Sequence, residues 1–197
     1  MNPRMRDYRI EPLTEATWSA YAALIERHNG VFGGCWCLGF HAEGKPGTLS
    51  YAERAAAKEA RVRDGRAHAA LVFAGEFCVG WAQFGSPGEL PRIKNKKIYE
   101  VGLGPLPRWR ITCFFVDRAH RKQGVATLAL EGALAEIRKL GGGVVEAYPE
   151  DTHGVRTSPT FLHAGTVAMF EAAGFSRDRA IGKNKWVVRR TLRAARR

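Results

Sequence analysis

The residues best suited to chemistry stand together in Val116-Asp117-Arg118-Ala119-His120-Arg121-Lys122-Gln123-Gly124-Val125-Ala126. A polar, basic turn here leaves an apolar strand and enters the start of a helix. The first amides of a helix have no acceptor within it, and the peptide dipoles leave that end positive. Gly124 and Ala126 lack bulk, so an anion can approach the backbone closely, while Arg121 and Lys122 add cations at the rim. Such a helix start is a cradle for a pyrophosphate. A second cluster, Gly33-Gly34-Cys35-Trp36-Cys37-Leu38-Gly39-Phe40-His41, offers two thiols and an imidazole. Three soft ligands without the usual Cys-x-x-Cys spacing fall short of a closed site, so no metal is expected. Val101-Gly102-Leu103-Gly104 has the look of a dinucleotide fingerprint, but Pro105 and Pro107 prevent the helix that must follow it.

These groups need elements to hold them. Tyr8 to Leu13 alternates like a short strand. Trp18, Tyr21, Ala22 and Ile25 fall at helical spacing, which predicts an amphipathic helix over 17–29. Ser50-Tyr51-Ala52-Glu53 has the form of a capping box opening a second helix to about Asp64. Ala69–Phe73 and Phe77–Phe84 read as the strands of a hairpin. Residues 86–110 read as a long basic loop carrying Arg92, Lys94, Lys96 and Lys97. Ile111–Val116 is the most strand-like run, and a helix from about Gly124 to Leu140 ends at Gly141-Gly142-Gly143. Val144–Tyr148 and Trp186–Val188 predict two more strands, with a short helix over Thr166–Ala173 between them. Cys78 and Cys113 fall in predicted strands and read as core. The expectation is a single α/β domain over residues 1–190, a mixed and largely antiparallel sheet with helices on both faces, followed by a basic tail over 191–197.

Composition limits the partners. The 197 residues are 45% hydrophobic, enough for one real core, and exclude disorder and a disulfide scaffold. No apolar run approaches the roughly 20 residues of a membrane helix, and Met1-Asn2-Pro3-Arg4 opens no secretory leader, so a cytoplasmic location is expected. The net charge is +12. From Arg177 to Arg197 nine basic residues face the single acid Asp178, so 9 − 1 = +8 of the excess lies there and +4 elsewhere. A solvated basic tail or an anionic partner would each account for it.

Arg121-Lys122-Gln123-Gly124-Val125-Ala126, after an apolar strand and before an amphipathic helix, resembles the Arg/Gln-x-x-Gly-x-Gly/Ala fingerprint of the GNAT superfamily of acyl-CoA-dependent N-acyltransferases. Met169-Phe170-Glu171-Ala172-Ala173-Gly174-Phe175 is similar to that family's late helix ending in Gly-Phe. The resemblance spans about residues 111–176. It implies acetyl-CoA as co-substrate, a primary amine as acceptor, and direct attack of the neutral amine on the thioester.

It further implies that backbone groups of Phe115 and Val116 meet the pantetheine arm, that one strand amide polarises the thioester carbonyl, and that the amides of Arg121, Lys122, Gln123, Gly124, Val125 and Ala126 bind the pyrophosphate. His163 falls near a position where family members contact the cofactor. The Cys35–Phe40 loop would line the acceptor pocket or simply pack. Phe170 stands where the family usually places a proton-donating tyrosine, a departure for which Tyr148 is the substitute candidate. Glu146, on the strand flanking the acyl group, is the candidate base, ahead of Glu150, Asp151 and Glu100. The acceptor is a small-molecule or protein amine, no membrane partner is expected, and a homodimer stays open. Two other classes remain alongside: a catalytically silent acyl-CoA-binding module, motivated by Phe170, and a nucleic-acid-associated basic protein, motivated by the C-terminal charge.

Overall fold

Side chains alternate between the two faces of a strand, and the apolar residues of this chain use both. Along one strand, Ala70 and Val72 belong to one core cluster, while Ala69, Leu71 and Phe73 belong to another. A sheet that is apolar on both faces must be covered on both. The computed structural model, which describes residues 8–45, 47–154 and 162–195, shows how. Its elements are β1 (Tyr8–Pro12), α1 (Glu15–Arg27), α2 (Tyr51–Arg63), β2 (His68–Ala74), β3 (Phe77–Gly85), α3 (Lys96–Glu100), β4 (Trp109–Val116), α4 (Val125–Lys139), β5 (Gly143–Ala147), α5 (Val167–Ala172), β6 (Ser176–Ala180) and β7 (Trp186–Leu192).

The seven strands form one sheet in the order β1-β2-β3-β4-β5-β7-β6. Every neighbouring pair is antiparallel except β4–β5, which is parallel. The apolar stripe of α4 (Ala129, Leu130, Ala133, Leu134, Ile137) covers one face, and Phe170 of α5 packs in the same cluster. Tyr21, Leu24 and Ile25 of α1 and Val62 of α2 cover the other. The expected α/β class, with helices on both faces, is what the chain adopts. The capping box forms in full: Glu53 N donates to Ser50 Oγ at 3.3 Å and Ser50 N to Glu53 Oε2 at 2.7 Å.

Two places differ from the expectations. The supposed loop 86–110 contains α3 and the first residues of β4. The strand β6, Ser-Arg-Asp-Arg-Ala, was not foreseen, because it lies at the sheet edge with almost all of its side chains exposed and so lacks an apolar pattern. Next to it, β7 runs to Leu192, which is buried in the α4 cluster.

The parallel pair positions the site. β4 and β5 are in register only at Trp109, Arg110 and Ile111, opposite Val145, Glu146 and Ala147. Beyond Ile111 the strands part, while β4 stays paired with β3 up to Val116. The opening between them leads to the start of α4. That helix sits close because Gly80 on β3 has no side chain: a Cβ there would lie 2.8 Å from both the Phe115 carbonyl oxygen and Val125 Cγ1.

Candidate functional site

The opening widens into a groove of about 1300 Å³. One end is the turn into α4. Asp117 caps a short 3-10 turn, Arg118–His120, by accepting from Ala119 N at 3.0 Å. The Tyr8 hydroxyl donates to Gln123 Oε1 at 2.9 Å, and Gln123 Nε2 donates to the Ala119 carbonyl at 2.9 Å. These bonds tie the turn to β1. Lys122 and Gly124 both have positive φ, 59° and 81°, and Gly124 is the N-cap of α4 without a side chain to cap it. The first helical bond is Leu128 N to Gly124 O at 3.0 Å, so the amides of Val125, Ala126 and Thr127 have no acceptor within the helix. Arg121, Lys122, Gly124, Val125 and Ala126 line this end of the groove. Gln123 does not; its side chain is used to brace the turn.

The wall of the groove is β4 itself. Phe114 N donates to the His163 carbonyl at 2.6 Å, which places the Phe114 amide on the open side. Alternation puts the Val116 backbone on that side too, where its carbonyl accepts from Arg121 Nε at 3.3 Å. The Phe115 backbone instead faces β3, as does the next residue but one, Asp117, whose N–H donates to Val79 O. Expecting the Phe115 backbone in the groove is thus corrected by one residue: Phe114 holds that place, and Phe115 contributes its ring. The ring stacks on Trp81 (5.0 Å between centroids) and meets His28 (4.9 Å) and Phe32 (5.9 Å) edge-on. Aromatic contacts continue from Phe32 to His163 and Phe40, and Arg92 Nε reaches the Gly39 carbonyl at 3.1 Å. His163 therefore sits at the groove, and the Cys35–Phe40 loop forms its second wall.

Glu146 and Tyr148 are elsewhere. Glu146 is fully buried beside β7: Arg189 Nε donates to its Oε1 at 2.7 Å, and the hydroxyls of Tyr99 and Tyr148 donate to its Oε2 at 2.8 and 2.9 Å. Neither residue lines the groove. Burial pushes the Tyr148 phenol well above its ordinary range and keeps it a donor to Glu146. Phe170 is likewise buried, edge-on to Phe114 at 5.9 Å and Phe175 at 5.0 Å.

The C-terminal charge also finds partners inside the fold. Arg177 binds Asp151 (2.6 Å) and Glu171 (2.7 Å), and Lys185 binds Glu150 (2.7 Å). Arg179 donates to the Tyr99 carbonyl at 3.0 Å, Arg189 to Glu146, and Arg190 to the Ala173 carbonyl. These residues belong to β6, β7 and the turn between them. Arg196 and Arg197 lie outside the described residues.

Sequence logic missed a buried polar cluster joining α2, β3 and β4. Lys58 of α2, fully buried, donates to Gln83 Oε1 at 2.8 Å and lies 3.4 Å from His41 Nε2; Gln83 Nε2 donates to Thr112 Oγ1 at 3.2 Å. A lysine within an Ala-rich helix gives no sign of pointing inward. Among the described residues no group of three or more His, Cys, Asp or Glu is placed to hold a metal ion, and no helix is long and apolar enough to cross a membrane.

The sequence model of the acetyltransferase (GNAT) family matches residues 39–156, more than half of the chain. The chain belongs to the GNAT acetyltransferase family. No curated protein sequence matches it. Among solved structures, a histone acetyltransferase HPA2-related protein of Corynebacterium glutamicum is 13% identical with a TM-score of 0.53, covering 93% of this chain and 95% of that one. The ribosomal-protein-alanine N-acetyltransferase of Brucella melitensis is 17% identical (TM-score 0.51; 93% and 99% covered). The Salmonella typhimurium protein yncA, whose structure holds its cofactor acetyl-CoA, is 16% identical (TM-score 0.51; 97% and 96% covered). At such identities these likenesses establish the GNAT fold and nothing finer. Membership of the GNAT family makes the chain an acyltransferase by class.

Proposed function

We propose that this GNAT protein is an N-acetyltransferase that moves an acetyl group from acetyl-CoA to a primary amine by direct attack within a ternary complex. The observation that carries this reading is the union of an uncapped helix start, Gly124–Thr127, with a strand that parts from its neighbour at Ile111. The amides of Val125, Ala126 and Thr127, with Arg121 and Lys122, hold the pyrophosphate. The Val116 and Phe114 backbones, on the open side of β4, receive the pantetheine arm and the thioester. The Phe114 amide, released from the His163 carbonyl, polarises the carbonyl of the acetyl group and takes up the charge that develops there. Acetyl-CoA supplies an activated acyl group, and the protein's part is to orient it and exclude water.

The acceptor is an amine that also carries an anionic group. Among the described residues lining the groove there is no Asp or Glu, while Arg92 and Lys94 are part of its lining. Such a surface repels a polyamine and steers an anion. Coenzyme A release from acetyl-CoA, measured over amines offered as carboxylates and as the matching amides, tests the whole reading. Turnover of the carboxylates above the amides supports it; tight acetyl-CoA binding with no release over any amine overturns it and leaves a binding module.

A further inference from the structure

With Glu146 committed to Arg189 and no Asp or Glu in the described lining of the groove, the attacking amine needs another proton acceptor. The lining includes an imidazole held by a carboxylate. His28, which caps the C-terminus of α1, lines the groove with its side chain 25% exposed, and its Nε2 lies 3.2 Å from Asp117 Oδ2. A carboxylate only accepts, so Nε2 carries the proton and Nδ1 is left with the lone pair. Both oxygens of the carboxylate are themselves held. Oδ1 accepts from Ala119 N at 3.0 Å, and Oδ2 also accepts from Arg27 Nη2 at 3.1 Å. A base oriented by a third group in this way has its tautomer set for proton transfer.

The surroundings place this pair beside the reacting end of the groove. Asp117 directly follows β4, and Phe115, two residues earlier on the same face, meets the His28 ring edge-on at 4.9 Å. Phe115 adjoins Phe114, whose amide is assigned above to the acetyl carbonyl. The backbone after His28 is bent to hold the ring there. Six consecutive residues, Asn29 through Gly34, have positive φ, from 39° at Phe32 to 80° at Gly34. Val31 is β-branched, and such residues rarely enter the left-handed region. The turn is closed by Val31 N donating to the His28 carbonyl at 3.0 Å, and it brings Phe32 to the rings of Phe115 and His163. Strain of this kind persists where the surrounding structure dictates it, and it clusters at functional sites.

We infer that His28, oriented by Asp117, is the general base that takes the proton of the attacking amine; this rests on the N-acetyltransferase reading above. The amine nitrogen forms its bond to the acetyl carbon, and the amine proton goes to His28 Nδ1. The carbon–sulfur bond of the thioester breaks, with its electron pair passing to coenzyme A. The imidazolium faces the Asp117 carboxylate and returns its proton through solvent to the coenzyme A sulfur. This route needs no tyrosine at position 170. Asp117 is a positioning residue for the step.

Asp117 is suited to that part. Burial works against its charge, but the Ala119 N–H, His28 and Arg27 outweigh burial and hold the carboxyl below the ordinary aspartate range. Arg27 reaches the same carboxylate oxygen as His28. His120, Arg121 and Lys122 on the turn, His163, and the thiols of Cys113 and of the Cys35–Phe40 loop share the groove with the ring. His120 is tied through Nδ1 to the Tyr8 hydroxyl at 3.0 Å.

Two experiments on the full chain test the inference. In the first, nitrogen NMR of the imidazoles reads the neutral tautomer, with His28 identified by the signals missing from His28→Gln. The expected proton is on Nε2. Asp117→Asn, whose amide both donates and accepts, should populate both tautomers. A proton on Nδ1 in the unaltered protein, or a tautomer that Asp117→Asn leaves unchanged, overturns the dyad. In the second, turnover is measured on the fastest amine of the matched carboxylate and amide series. For His28→Gln, about a hundredfold lower kcat, an unchanged acetyl-CoA Kd and loss of the acid limb of the pH–rate profile are expected of a general base. An acid limb that survives in His28→Gln overturns the role, as does a fall in kcat matched by an equal fall in acetyl-CoA affinity. His28→Asn repeats the comparison should the glutamine variant fail to fold. If the unaltered protein turns over no amine of the series, the transferase reading fails and the base with it, while the His28 tautomer still stands on the nitrogen spectra.

Discussion

Arg189 of β7 and Glu146 of β5 are direct cross-strand partners, and the guanidinium meets a carboxylate that has no exposure to solvent at all. The pair, with the two tyrosine hydroxyls on Oε2, ties the C-terminal hairpin to the strand next to the groove. Its role is structural. Removing Arg189 would strand the Glu146 charge in the interior, which typically costs about 3–5 kcal/mol, whereas removing Glu146 leaves a half-buried guanidinium and two buried tyrosine hydroxyls without their acceptor. Glu146→Ala should therefore lower the thermal midpoint sharply, and any soluble fraction should bind acetyl-CoA with near-normal affinity by calorimetry. Normal stability with a collapsed turnover would restore Glu146 to the mechanism.

At the other end of the groove, Gly124 is both the N-cap of α4 and a residue at φ 81°. Gly124→Glu adds bulk and negative charge at the proposed phosphate cradle and should abolish acetyl-CoA binding. Gly124→Ala carries the backbone strain without the charge, about 1 kcal/mol, and should weaken binding only several-fold. Titration calorimetry of both, beside circular dichroism to confirm the fold, separates strain from repulsion; equal affinities would remove the pyrophosphate from this turn.

Two glycines where α4 meets the sheet should behave differently. A Cβ on Gly132 would lie 2.5 Å from Ile10 Cγ2, far from the groove. Gly132→Ala should cost about 1–3 kcal/mol of stability through overpacking and leave cofactor affinity intact. Gly80→Ala instead pushes on Val125 and the Phe115 carbonyl, so it should lower acetyl-CoA affinity as well. Thermal melts and binding constants of the two variants, compared side by side, check this.

Buried His41 makes stability sensitive to acid. Burial first, then the charges of Lys58 and Arg61, lower it from 6.5 to about 2. The unfolded chain binds a proton at 6.5 that the native state refuses, so its contribution is present above 6.5 and is lost as pH falls below that value. The slope approaches about 1.4 kcal/mol per pH unit. Urea midpoints across pH 4–8 should fall toward acid and flatten in His41→Gln; parallel curves would mean that His41 is not the group responsible.

For the acceptor, Arg92→Ala should raise KM for a carboxylate-bearing amine about tenfold, as expected on losing a charge-assisted hydrogen bond, and barely alter that of its amide. Initial-rate kinetics on such a matched pair decide the matter.

Much of this molecule was legible locally. The apolar strand Ile111–Val116, the small residues Gly124 and Ala126, and the stripe of α4 are short-range patterns, and short-range physics dictates a helix whose open start can hold an anion. The Ser50–Glu53 box was readable for the same reason, since both its bonds close within four residues. Edge strand β6 escaped because exposed side chains leave no apolar period to read. What only the tertiary structure decided is which side chains share a space. Glu146 looked like a base on a strand, but Arg189, 43 residues away, takes its oxygen. Lys58 carries no mark in the local sequence, but α2 turns it inward onto Gln83 and His41. Burial and charge pairing act across space with no fixed relation to separation along the chain, so the open start of α4 could be read from the sequence while the partners of Glu146 and Lys58 could not.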